Sequence, residues 1–304
     1  MDLVPYLNYL KNVVLLSEKT IIAYKSDLEE FSEYLSSKQI EDEREFTYQD
    51  SKEFLRYLKK ERKYSVSSIK RKIASVKKYY NYLFKLKEVK NNPLLDLRIK
   101  DSSIRLPSFL SVDEVKALLS FNRYDFPDDR DHMLFLLLYN TGARISEALS
   151  INVKDIELDK RRIKVLGKRN KERYLFFSAT TKEEIIIYLD KRLMHAKDEN
   201  AFFISNKGKR LPISYVNIIF KKYANIMNFK TEFTPHTLRH SFATHMLSRG
   251  LDIRVLQELL GHKSIAATQI YTHVSKEELK RTYLLHHPHS KEKIWVWEVQ
   301  QFVL

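Results

Sequence analysis

The residues best suited to chemistry concentrate between Phe233 and Val274. Pro235 suits the first turn of a helix, where its missing N–H costs nothing. His236, Arg239 and His240 then follow at i, i+3 and i+4 and share one helical face. Gly250 reads as a left-handed helix cap. Residues 253 to 260 read as a second helix carrying Val255, Leu256, Leu259 and Leu260, and Gly261-His262 breaks it. A short helix from Ser264 would deliver Tyr271. A polar helix face, a histidine at a helix break and a tyrosine nine residues beyond it make little sense as packing alone. They suit a pocket for a phosphate.

Two residues earlier in the chain fit the same chemistry. Arg144 follows Thr141-Gly142 at the start of a helix, with Glu147 one turn on. A guanidinium there adds its charge to the free N–H groups of the first turn, which suits an anion. An ordinary Arg–Glu pair would use the same spacing. Lys168 stands at the tip of an expected hairpin, where a side chain can enter and leave a site or remain in solvent. The chain has five glycines, none before Gly142, and three of them (Gly142, Gly167 and Gly261) lie within two residues of Arg144, Lys168 or His262. Glycine permits close backbone approach and positive φ, so the chain is shaped around these positions.

The elements that must position these residues fall into two groups. The first 98 residues read as four helices. Tyr6, Leu7, Leu10 and Val14 form one apolar stripe. Ser17 caps a helix with Ile21, Tyr24, Leu28, Phe31 and Leu35. Thr47 caps one with Phe54, Leu55 and Leu58, and Ser65 or Ser67 caps one with Ile69, Ile73, Val76, Tyr80 and Leu83. Asn91-Asn92-Pro93 is read as the stop of the fourth helix, and residues 99–107 as a polar linker. The other faces of this bundle are basic: Lys59, Lys60, Arg62 and Lys63, then Lys70, Arg71, Lys72, Lys77 and Lys78. Such a cluster suits a nucleic-acid backbone, with Lys70, Arg71, Lys77 and Lys78 as candidate DNA contacts.

The second group begins with a Ser111–Glu114 capping box. An apolar helix over 128 to 140 precedes Thr141-Gly142. Short strands are expected over 156 to 158, 162 to 166 and 173 to 177, forming a small antiparallel sheet. Helices are expected over 183 to 196 and 213 to 227, with a hairpin over 202 to 211 between them. The fold class is mainly α with this small sheet.

The chain's 304 residues and 43% hydrophobic content suffice for two domains with cores. The longest apolar run, from Met133 to Tyr139, is too short to cross a bilayer, and no membrane anchor or secretory leader is expected. The absence of cysteine excludes disulfides, thiolate zinc sites and thiol catalysis, and fits the cytoplasm. A formal net charge of +15 favours a polyanionic partner.

In order, the signals are Thr-Gly-x-Arg-x-Ser-Glu, Gly-Lys-x-x-Lys-x-Arg, His-x-Leu-Arg-His, Leu-Gly-His and Thr-x-x-Tyr. This series resembles the tyrosine recombinases (the phage integrase family), most closely their Xer type, and the likeness runs to about Pro288. The resemblance implies a SAM-like helical core-binding domain over 1–98, the linker 99–107, a catalytic domain over 108–288, and an extension over 289–304 with no family role. It places the catalytic set on Arg144, Lys168, His236, Arg239, His262 and Tyr271. Glu147 and His240 are expected to orient them.

Residue chemistry then suggests the roles. The two guanidiniums hold the non-bridging oxygens, Tyr271 attacks, His236 accepts its proton, Lys168 protonates the departing 5′-oxygen, and His262 hydrogen-bonds a non-bridging oxygen. No metal, cofactor or ATP is expected. The implied partners are a double-stranded recombination site, a homo- or hetero-tetramer on that DNA, and a second recombinase or an accessory activator. The implied setting is chromosome partition at the nucleoid. Four other readings stay open: a mobile-element integrase, a type IB topoisomerase, a DNA-binding protein without catalysis, and a zinc hydrolase using His236 and His240. The last lacks the glutamate of HExxH and places an arginine between its histidines.

Overall fold

The computed structural model describes residues 1–99, 109–167, 172–261 and 276–288. The chain divides into two compact units, Met1–Ile104 and Arg105–Leu304.

The first unit is a helical bundle of α1 (Val4–Asn12), α2 (Glu18–Ser37), α3 (Tyr48–Lys60) and α4 (Val66–Lys85). Short side chains set the starts. Ser17, Thr47 and Ser65 each accept a hydrogen bond from a backbone N–H of the first turn, and Thr47 forms a full capping box with Asp50. Leu28, Phe31, Phe54, Leu58, Val76 and Tyr80 close the core.

Three details differ from the sequence reading. First, α1 ends at Asn12, so Val14 lies beyond it and is 40% exposed. Second, α4 ends at Lys85, well before Pro93, because Lys87 takes a left-handed φ of 62°. The chain after it stays on the bundle: Leu94 is buried, Asn92 donates to Lys77 O at 2.8 Å, and Lys77 Nζ donates to Leu95 O at 2.7 Å.

Third, Lys72 is not part of a solvated basic face. It is buried between α2 and α4, donating to Asp27 at 3.1 Å and also to Glu30. Arg71 pairs with Asp27, and Arg62 reaches Glu30 at 2.9 Å. Burial on its own would lower the Lys72 pKa; the hydrogen bonds to Glu30 and Asp27 outweigh it and hold the ammonium above the ordinary lysine range. Lys72 lies three residues after buried Ile69 and four before buried Val76, on the packed face of α4.

The second unit is built around α6 (Phe126–Thr141), which is buried on nearly every side. It is packed by α5 (Val112–Leu119), α7 (Ile145–Ser150), α8 (Ala179–Leu193) and α10 (Pro235–Ser248). The sheet, in order β1 (Ile156–Glu157), β2 (Arg162–Leu166) and β3 (Glu172–Phe176), is antiparallel. Ile163 faces Leu175, and Leu166 faces Glu172 at the hairpin's closed end. The other helices are α9 (Ile213–Ile226), α11 (Ile253–Leu260) and α12 (Lys276–His286).

Helix α8 starts four residues earlier than expected because Ser178 caps it through Thr181 N–H. The segment 202–211 turns as anticipated but forms a single bridge, Ile204 with Arg210, in place of paired strands. Phe202, Phe203 and Ile204 are fully buried there, and Phe202 N–H is spent on Ile151 O. Helix α12 closes on its own unit. Tyr283 is buried and donates to Asn140 O, near the end of α6, at 2.8 Å.

Candidate active site

The site assembles where four helix ends meet. Helix α6 stops at Gly142, which takes φ +59° and ψ 23°. The turn delivers Arg144 to the N-cap of α7, where its N–H donates to Glu147 Oε2 at 2.8 Å. Thr234 caps α10 and Pro235 occupies its first turn, so His236, Arg239 and His240 project from the helix's opening turns. Helix α11 ends at Gly261, with φ 64°, and presents its last carbonyls to the site.

A helix C-terminus leaves carbonyl oxygens without intrahelical partners and carries partial negative charge. Here three consecutive carbonyls each receive one guanidinium. Arg173 Nη1 donates to Leu259 O at 2.5 Å, Arg239 Nη2 to Leu260 O at 2.8 Å, and Arg144 Nη2 to Gly261 O at 3.2 Å. Arg239 also donates to Gly142 O, so the left-handed turn and the arginine hold each other.

Glu147 lies beneath this group, 3% exposed, which is low enough to make its pairing obligatory. It meets Arg144 Nη1 at 3.0 Å and Arg173 Nη2 at 2.7 Å. Burial alone would raise the Glu147 pKa. The hydrogen bond and charge of Arg173, then the backbone N–H and side chain of Arg144, outweigh it and hold the carboxyl below the ordinary range. Arg239 also has its pKa lowered, here at the expense of the charged form: burial, then the charges of Arg144 and Arg173, push it down to about 10. It remains a cation at neutral pH. Three cations held over one carboxylate leave a net positive site beside an open cleft.

That cleft, about 910 Å³, is lined by Ile145, Ser214, His236, Arg239, His240 and Leu260 among others. His236 is exposed within it. His240 is half-buried, its ring 6.0 Å from that of Phe109 in an edge contact. The structure therefore brings together Arg144, Glu147, His236, Arg239 and His240. Lys168, His262 and Tyr271 lie outside the described residues. Lys168 falls in the connection between β2 and β3, and His262 directly follows Gly261.

On α4, Lys70, Arg71, Lys77 and Lys78 fall on one stripe, with Lys70, Arg71 and Lys78 exposed. Arg71 is anchored on Asp27, Lys78 Nζ lies 2.6 Å from Tyr24 Oη, and Lys77 is committed to Leu95 O. Among the described residues no cluster of His, Asp and Glu is arranged to hold a metal, and no helix is long and apolar enough to cross a membrane. Arg173 is the residue that sequence reasoning passed over. It ends the motif Gly-Lys-x-x-Lys-x-Arg, which drew attention only to Lys168.

Residues 108–278 match the Phage integrase family, and residues 3–87 match the Phage integrase N-terminal SAM-like domain. The chain belongs to the tyrosine recombinase, or phage integrase, family, whose enzymes cut and rejoin DNA through a phosphotyrosine. Within that family it strongly resembles the XerC type. It is 36% identical over 296 residues to the tyrosine recombinase XerC of Bacillus subtilis, covering 95% of this chain and 96% of the relative. It is 34% identical over 289 residues to that of Listeria welshimeri, covering 93% and 96%. Among solved structures, the XerH site-specific recombinase bound to a palindromic difH substrate aligns with TM-score 0.68 and 25% identity, over 86% of this chain and 78% of that one.

Proposed function

We propose that this chain is a site-specific recombinase that exchanges strands between two DNA sites through a 3′-phosphotyrosine and a Holliday junction, and that it resolves chromosome dimers. The observation that carries the reading is the pinning of Arg144 and Arg239 on adjacent carbonyls of α11, beside a cleft that also holds His236. Two fixed guanidiniums suit the two non-bridging oxygens of a phosphodiester, whose charge grows as the nucleophile attacks.

In the proposed reaction, Tyr271 Oη forms the bond to phosphorus and its proton passes to His236. The bond to the 5′-oxygen breaks, and that oxygen takes a proton from Lys168. His262 donates a hydrogen bond to a non-bridging oxygen. Glu147 orients Arg144, and His240 supports the same face. The phosphodiester energy is kept in the phosphotyrosine, so rejoining needs no ATP, and the arginines supply the charge that metal ions supply in other phosphoryl transfers. Residues 1–98, through Lys70, Arg71 and Lys78, track the duplex backbone, with 99–107 as linker to the catalytic domain 108–288. Four protomers, alike or of two kinds, act on the paired sites, with an accessory activator where one is needed. The likeness to XerC proteins along nearly the whole chain supports chromosome resolution over integration of a mobile element.

The test uses a supercoiled plasmid carrying two copies of a site selected by the protein from a random duplex pool. Exchange between the sites, in the presence of EDTA, is the expected result. Relaxation of the plasmid with no exchange, with a paired recombinase supplied, would make the protein a strand-passage enzyme.

A further inference from the structure

Arg173 stands at the start of β3 and is only 14% exposed at its side chain, so its three hydrogen bonds decide its role. Nη2 and Nε fork onto Glu147 at 2.7 and 3.3 Å, and Nη1 holds Leu259 O. Glu147 in turn holds Arg144 through both its backbone N–H and its guanidinium. Arg173 passes close under Gly261: a Cβ on that glycine would lie 3.0 Å from Arg173 Cδ and 3.7 Å from Arg144 Nη1. The side chain is thus packed against the last residue before His262.

We propose that Arg173 is a positioning residue for strand cleavage: by clamping Glu147 and the end of α11, it fixes the guanidinium of Arg144 where a non-bridging oxygen of the scissile phosphate sits. This inference rests on the phosphodiester-cleavage reading above. Removing Arg173 leaves Glu147 with one guanidinium in place of two, frees Leu259 O, and releases Arg144 from a geometry set at three points. Lysine at 173 would keep the charge near Glu147 but has no planar fork, so it cannot hold the carboxylate and the carbonyl together in the same way.

The test is single-turnover cleavage of a nicked duplex carrying the selected site, with duplex affinity measured separately. Arg173→Ala is expected to slow cleavage by about 100-fold, the scale of a small misplacement of a catalytic group, with little change in affinity. Arg173→Lys is expected to fall between that variant and wild type, and it carries the comparison should the alanine variant fail to fold. The discriminating readout is a scissile methylphosphonate, in which one non-bridging oxygen is a neutral methyl. On the isomer whose methyl replaces the oxygen held by Arg144, a misplaced Arg144 costs little, so the variant and wild type should react within about threefold of each other. On the other isomer the loss should persist.

Equal losses on both isomers, or a loss that tracks lowered thermal stability, would make Arg173 a structural residue and overturn the proposal. So would an unchanged rate on the phosphodiester. Absence of a covalent adduct from wild type would instead sink the cleavage reading itself, and the Arg173 role with it.

Discussion

Arg239→Ala is expected to lower the single-turnover rate of strand cleavage by about 10³-fold, while duplex affinity falls by no more than about tenfold. Arg239 is the only one of the three clustered arginines that lines the cleft, and two backbone carbonyls hold its terminal nitrogens. A donor fixed in this way stabilises charge that grows in the transition state without having to reorganise. Its contribution therefore falls on the rate more than on binding. Arg239→Lys should recover only a small part, because a single ammonium nitrogen lacks the planar fork whose two terminal nitrogens reach Gly142 O and Leu260 O separately. Between about pH 6 and pH 9 the wild-type rate should carry no inflection from this group, since its pKa of about 10 lies above that window. Rapid-quench cleavage across pH checks each point. A variant within tenfold of wild type would remove Arg239 from the chemistry.

Gly142→Ala is expected to destabilise the second unit by about 3 kcal/mol, combining the left-handed penalty of a non-glycine residue with overpacking of a closed core. The backbone φ of +59° disfavours any Cβ. The new atom would lie 2.5 Å from the ring of Phe242 and 2.8 Å from Leu260. Both neighbours are buried, so neither can swing out. For a unit of this size the loss corresponds to a fall in Tm of roughly 6–12 °C, readable by calorimetry. Because Gly142 O anchors Arg239, cleavage should weaken in any fraction that stays folded. A Tm within 2 °C of wild type, a margin below even about 1 kcal/mol, would contradict the packing described here.

Much of this was legible in the chain because local signals agreed with the final packing. Ser17, Thr47, Ser65 and Ser111 are short polar residues ahead of apolar periodicity, and each caps the helix it precedes. Gly261 breaks a helix in sequence and caps it left-handed in space. The spacing of His236, Arg239 and His240 determined a shared face, and all three line one cleft.

Most of what escaped depended on partners distant in sequence. Lys72 reads as one more surface lysine until Asp27 and Glu30, more than forty residues earlier, are brought against it. Arg173 reads as an exposed strand residue until Glu147 and Leu259 arrive from opposite directions along the chain. The early start of α8 turned on one hydrogen bond, from Thr181 N–H to Ser178. The bridge at Ile204 turned on a backbone group of Phe202 already spent on Ile151. Periodicity finds faces; it does not find which distant face a charge will meet.

The central claim is that Tyr271 becomes joined to DNA, and trapping that bond tests it most directly. A nicked duplex carrying the selected site loses a short fragment on cleavage and cannot religate. Wild type and Tyr271→Phe are incubated with it in EDTA, alone and with any paired recombinase, and resolved under denaturing conditions. A protein–DNA adduct is expected with wild type and none with Tyr271→Phe, although both bind the duplex. An adduct of equal yield from Tyr271→Phe, or none from wild type in the complete complex, would contradict the claim.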